Sequence, residues 1–204
     1  LAGLAFPVFI GGYLLAWPLT AAVSSPDFLT HVNMDGDFIW GSDVALKILL
    51  VAMAMTYLHV VLSYSLVAMG RQMELLWING TVVLVNVTLN FFLVPRFGFI
   101  GAAAAAVSAE LVMLFALVWR VRRRLVRVWD FLFLAKTLLS SLIMGAVLFF
   151  TADYFTSQFF TKGLLILIPL GALVFVAVMF LTKAVSKEII ALLRRTEIPH
   201  EEIH

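Results

Sequence analysis

The side chains of this chain that could do chemistry stand inside long apolar runs: Lys47, His59, Glu110 and Lys136, with Glu74, Asp130 and Asp153 at the ends of such runs. An ionisable group in hydrocarbon is costly, so those found there tend to face the protein interior and are functional candidates. Glu110 is the most expensive of them, close to the middle of its run and with Ser108 nearby. Two readings stand for it: a structural carboxylate, protonated or held by a lysine, and a cavity group in substrate binding or proton coupling. Lys47 lies near the start of its run and is read as snorkelling to the interface. Lys136 has Thr137, Ser140 and Ser141 beside it, and its spacing to Ser140 builds one polar helix face, which leaves snorkelling and a cavity role both open. Asn79, Asn86 and Asn90 recur at helical spacing and share one stripe, serving either interhelical hydrogen bonds or the lining of a hydrated pathway. His59, with Tyr57, Ser63 and Tyr64 around it, is read as structural, because a lone membrane histidine without a second ligand is weak evidence for a metal.

Enzyme chemistry has little to stand on. The chain contains no HExxH, no phosphate-binding loop, no GxSxG and no acidic pair at catalytic spacing, so we expect no catalytic residues, no metal and no cofactor. Coupling to a proton or sodium gradient is the one exception left open. A membrane glycosyltransferase or polymerase would need an outer-loop constellation, for which only Asp27, His31, Asp35 and Asp37 are at hand; their segment reads more simply as a solvated connector. Asp35-Gly36-Asp37 lacks the closing Glu of a calcium loop. Cysteine is absent, which excludes disulfides and thiolate metal sites. A net charge of +2 is too small to argue for nucleic acid, and the basic stretch with Arg120, Arg122, Arg123, Arg124 and Arg127 reads as a topology signal touching anionic headgroups.

The elements that must carry these residues follow from composition. The chain is 63% hydrophobic and 13% charged, whereas soluble domains carry about 25% charged residues. A bilayer core needs roughly 20 apolar residues in a helix. Six runs meet that need, at 1–23, 44–70, 75–94, 99–119, 131–151 and 163–183. They do not alternate as barrel strands would, so the expected fold is an all-α integral membrane protein of six transmembrane helices.

Positive residues after alternate spans set the orientation: Arg71, the basic loop 120–130 and the tail 184–204 fall on one face, and only Arg96 and Lys162 on the other. That places 24–43 outside and the C-terminal tail in the cytoplasm. Pro7 and Pro18 flank Gly11-Gly12 and predict a bent first span. Pro95 is expected to end the third span and Gly98 to turn the chain into the fourth, whose GAAAAAVSAE opening predicts a face packed hard on another helix. Trp40, Trp119, Trp129, Tyr154, Phe159 and Phe160 fall near span ends and read as interfacial anchors. The chain opens Leu1-Ala2-Gly3 without an initiator Met or a signal-peptide n-region, so we expect a fragment whose missing part precedes Leu1.

The run from Asn86 through Val87-Thr88-Leu89-Asn90, the turn Val94-Pro95-Arg96-Phe97-Gly98 and the small-residue helix to Glu110 resembles a pattern of the polysaccharide flippases of the MOP superfamily. Their Asn-rich helix ends in an Ile/Val-Pro-Arg/Lys-aromatic-Gly turn followed by Gly-Ala-Ala. The order of the other spans is similar too, most closely over 44–119. The resemblance implies spans nine to fourteen of a fourteen-span, MATE-like transporter: a second-lobe bundle over 1–119 and two appended helices over 131–183. It implies as well a missing N-terminal lobe as partner, alternating access between lobes, and export of a polyprenyl-diphosphate-linked oligosaccharide across the cytoplasmic membrane for surface polysaccharide synthesis. Asn79, Asn86, Asn90, Glu110, Lys136 and Arg96 are the candidates for the substrate pathway or coupling. A cation-coupled drug or metabolite antiporter of the related multidrug and toxic compound extrusion family is the alternative.

Overall fold

A computed structural model describes residues 2–24, 28–32, 38–122, 131–159 and 163–182. Apolar runs in hydrocarbon must satisfy every backbone N–H and C=O within themselves, and these runs do so as helices. The first is broken in two, α1 (Ala2–Leu14) and α2 (Ala16–Val23), whose axes differ by 70°. Pro18 accounts for the place of the break. It has no N–H for the Leu14 carbonyl, and its ring presses on that carbonyl, so the chain yields at Leu15 (φ −93°, ψ 8°). The bonds on either side survive, Leu15 N–H to Gly11 O at 3.0 Å and Leu19 N–H to Leu15 O at 2.8 Å. Pro7 stays inside α1 without breaking it.

After α2 comes a two-residue antiparallel ladder, β1 (His31–Val32) on β2 (Phe38–Ile39), with His31 opposite Ile39. The segment is clasped to the start of α3 (Ser42–Ala68). Asp43, buried in the first turn of α3, accepts hydrogen bonds from the Thr30 amide (3.0 Å) and the Thr30 hydroxyl (2.6 Å), while Thr30 Oγ1 accepts one from the Gly41 amide (2.8 Å). Gly41 must be glycine here, since a Cβ would sit 2.1 Å from the Thr30 nitrogen.

At its other end α3 closes with Gly70 at φ 71°; the Arg71 amide reaches Leu66 O (3.0 Å) and the Gly70 amide Val67 O (2.9 Å). This paired pattern is a Schellman cap. The next element, α4 (Gln72–Val121), is a hairpin of two legs, 72–97 and 99–121, reversed at Gly98 (φ 56°, ψ −135°). The reversal is plain from two approaches. A Cβ on Gly101 would lie 2.4 Å from Leu93 O, and Arg120 Nη1 stands 3.2 Å from Glu74 Oε2. The turn is tighter than the sequence suggests. The helix does not end at Pro95 but continues to Phe97, because a proline near a C-terminus sacrifices one bond, whereas only a glycine takes the backbone angles that reverse the chain.

The last helices are α5 (Phe131–Phe159), which runs past the expected Thr151, and α6 (Leu164–Leu181). Side by side the order is α4, α3, α1, α5, α6, with α2 also against α3, so α1 sits between helices that follow it in the chain. Two apolar cores result. One joins Leu62 and Leu66 of α3 to Ile78, Met113, Leu117 and Val121 of the hairpin; the other joins Leu15 to Met144, Leu148, Leu167 and Phe175. Small residues make the close contacts, as membrane helices require: Ala103, Ala105 and Ala109 are buried, Gly12 lies against Leu50, and Gly145 lies against Ile10.

Four of the helices are long and apolar enough to cross a membrane, or five with the bent pair counted as one span. Their outer surfaces carry large apolar side chains such as Trp77, Leu84, Phe91 and Phe150, a surface suited to lipid and not to water. The chain is thus a helical, multi-pass membrane protein.

Candidate functional site

The seam between α3 and the second leg of α4 is built from residues at matching spacing. His59, Leu62 and Leu66 on α3 meet Glu110, Met113 and Leu117 on the leg, each set reading i, i+3, i+7 along one helical stripe. The leucines and Met113 make the apolar length of the seam, and its polar end is the contact of His59 Nε2 with Glu110 Oε2 at 2.6 Å. The His59 side chain is 10% exposed and that of Glu110 28%. Ser63 Oγ donates to the His59 carbonyl at 3.2 Å. His59 Nδ1 is buried with no hydrogen-bond partner.

A contact of this kind holds one proton between imidazole and carboxylate. With Nε2–H donating to a carboxylate, Nδ1 is a bare lone pair; with the proton on the carboxyl, Nε2 accepts it and an N–H at Nδ1 has no acceptor. The carboxyl is the more accessible partner.

The register of the hairpin sets what else lies at this depth. Glu74 is level with Arg120 and Leu93 with Gly101, so Leu84 is level with Glu110 and Asn86 with Ser108. Asn86 thus stands about 3 Å along the helix axis from the carboxylate. Its neighbour Asn90 donates through Nδ2 to Asn86 O (2.9 Å) and Asn86 Oδ1 (3.0 Å), which joins two members of the asparagine stripe; Asn79 is exposed. Among the described residues no hydrogen bond connects the stripe to Glu110.

The remaining candidates lie apart. Arg96 is exposed at the tip of the hairpin. Lys136 is half-buried on α5, and the hydroxyls beside it, Thr137, Ser140 and Ser141, are fully buried and bonded back to the carbonyls of Phe133, Lys136 and Thr137 at 2.8 to 2.9 Å. Thr137 faces α1, its methyl 3.7 Å from where a Gly3 Cβ would stand, so this stretch of the α5 polar face is a packing face. Lys47 lies 5.5 Å from the Tyr13 ring. Arg120 pairs with Glu74, and Arg122 lies over the Trp119 ring at 4.3 Å. Arg123, Arg124 and Arg127, Asp27, Asp35 and Asp37, and the tail fall outside the described residues. An apolar cleft of about 450 Å³ opens beneath the bend of α1 and α2, walled by Leu15, Leu50, Leu148 and Phe175. Among the described residues no group of three His, Cys, Asp or Glu side chains could hold a metal ion.

From the sequence Glu110 stands out, with a protonated or lysine-held carboxylate and a cavity role both open, while His59 reads as structural; the pairing of the two is not foreseen. The matched spacing of 59, 62, 66 and 110, 113, 117 was the signal available. In comparisons with known proteins, the chain matches no family model, no curated protein and no solved structure.

Proposed function

We propose that this chain is the second-lobe part of a membrane exporter that carries a polyprenyl-diphosphate-linked oligosaccharide to the outer leaflet by alternating access, with six crossings, residues 24–43 outside and the tail in the cytoplasm. The substrate class rests on the resemblance at Asn86 to Glu110. The observation that supports transport is the His59–Glu110 pair, a part-buried acid–base contact midway along two membrane helices. Ionisable groups at that depth mark ion and substrate pathways more often than they serve packing alone. In this reading Glu110 is the group on which the driving ion acts, His59 its counterpart, Asn86 polar lining near the same level, and Asn90 its continuation toward the hairpin tip. A sugar diphosphate cannot cross hydrocarbon without such a lining, because each unpaired polar group costs several kcal/mol.

The same carboxylate supports a cation-coupled drug or metabolite antiporter, a reading favoured by how few cationic side chains accompany it in the bundle. Translocation of a lipid-linked oligosaccharide by the full-length protein, measured beside efflux of a cationic dye, separates the two. Glu110→Gln and Asn90→Ala should lower the transported flux by tenfold or more. Export of surface polysaccharide at the normal level in cells lacking the protein and any redundant exporter would sink the oligosaccharide reading.

A further inference from the structure

The two legs of the α4 hairpin leave a groove of about 280 Å³ between them at the end where Glu74 meets Arg120. Its walls are apolar along their length: Ile78 and Val82 on one leg, Val112 and Ala116 on the other, with Trp77 at the side. Thr81 contributes no polar edge, since its hydroxyl donates to the Trp77 carbonyl at 2.9 Å. The mouth is charged. Arg71 and Arg120 both pair with Glu74, so two guanidiniums stand against one carboxylate. Arg71 and Arg120 are exposed, and Trp77 and Trp119 are exposed near that end.

We infer that this groove holds an anionic phospholipid, its phosphate on Arg71 and Arg120 and one acyl chain along Ile78, Val82, Val112 and Ala116. Each part of the lipid meets its match. A guanidinium carries five N–H donors, so a single contact with Glu74 leaves Arg120 donors for a phosphate, which arginine binds in a forked geometry. An excess of one positive charge favours a headgroup with net negative charge over a zwitterion, whose ammonium the same arginines repel. Exposed tryptophans belong at the level of the headgroups, and that puts the mouth there and the apolar slot within the acyl region. The inference rests on the membrane reading of the helices and not on what the protein transports.

The test uses the full chain in bilayers of phosphatidylcholine doped with phosphatidylglycerol brominated on its acyl chain, with brominated phosphatidylcholine as the comparison. Trp77 on the groove wall is the reporter. Brominated phosphatidylglycerol should quench tryptophan emission more strongly, at equal mole fraction, than brominated phosphatidylcholine, and Trp77→Phe should remove that excess. Arg71→Ala should weaken the apparent affinity about fivefold, in line with the contribution of one arginine near an anionic surface. Ala116→Phe, which fills the slot and spares every charge, should abolish the preference. Equal quenching by the two lipids overturns the assignment, as does an excess that survives both Trp77→Phe and Ala116→Phe.

Discussion

His59 and Glu110, 51 positions apart in the chain, form a 2.6 Å contact between α3 and the second leg of α4. Because these helices run parallel, joined through the intervening leg, the pair ties the middle of the hairpin's returning leg to the helix that precedes it. Its worth to the fold follows from what each partner would lose. Removing His59 strands a carboxyl in the seam; removing both groups leaves an apolar seam continuous with Leu62 and Met113. We therefore expect His59→Leu to destabilise by about 1–2 kcal/mol, Glu110→Met by less, and the double variant His59→Leu/Glu110→Met to recover most of the loss. Unfolding of the unaltered protein, the two single variants and the double variant in mixed micelles closes the cycle. A vanishing coupling energy would mean the pair is not formed.

Gly101 and Gly80 offer a matched test of the hairpin. A side chain at Gly101 would press on Leu93 O, whereas nothing lies within 4 Å of a Cβ at Gly80. Gly101→Leu should cost about 1–3 kcal/mol and open the hairpin, while Gly80→Leu should be neutral or stabilising. Unfolding midpoints give the stability, and the loss of an engineered crosslink between positions 74 and 120 reports the opening.

Pro18→Ala restores the N–H that the Leu14 carbonyl lacks, so α1 and α2 should straighten. For spin labels at Leu4 and Val23, both exposed, a straight helix separates the attachment points by about 29 Å and a helix bent by 70° by about 24 Å. Double electron–electron resonance should show the longer distance in Pro18→Ala. An unchanged distribution would mean that packing on α3 and α5, and not proline, sets the bend.

The Thr30–Asp43 clasp is the means by which the segment between α2 and α3 is held to α3. Asp43→Ala leaves two donors on Thr30 without their acceptor, at a cost of about 1–3 kcal/mol, and Thr30→Ser should keep most of what Thr30→Ala loses. Amide hydrogen exchange at Thr30 and Gly41 checks this directly, with protection falling in Asp43→Ala and Thr30→Ala and held in Thr30→Ser.

Local chemistry and solvent determined much of this protein from its sequence. Runs of apolar residues long enough to span hydrocarbon can satisfy their backbones only as helices, so α3, α5 and α6 follow from composition. Pro18 and Gly98 each act on the chain within a few residues of themselves, so a bent first span and a turn at Gly98 were legible too, though the helix ran on past Pro95 to Phe97. The small-residue face of 101–109 announced close packing because a missing side chain is itself the contact. Other features are decided between helices and are invisible to a one-dimensional reading. The placing of α1 between α3 and α5 depends on which apolar faces fit, and all of them are equally apolar in the sequence. The polar stretch of α5 could have lined a cavity; burial of Thr137, Ser140 and Ser141, with their hydroxyls bonded back to their own helix, makes it a packing face. His59 and Glu110 were each visible as costly residues, but only the parallel register of α3 on the returning leg brings imidazole to carboxylate, because a hydrogen bond needs angstrom-level alignment of two helices that composition does not encode.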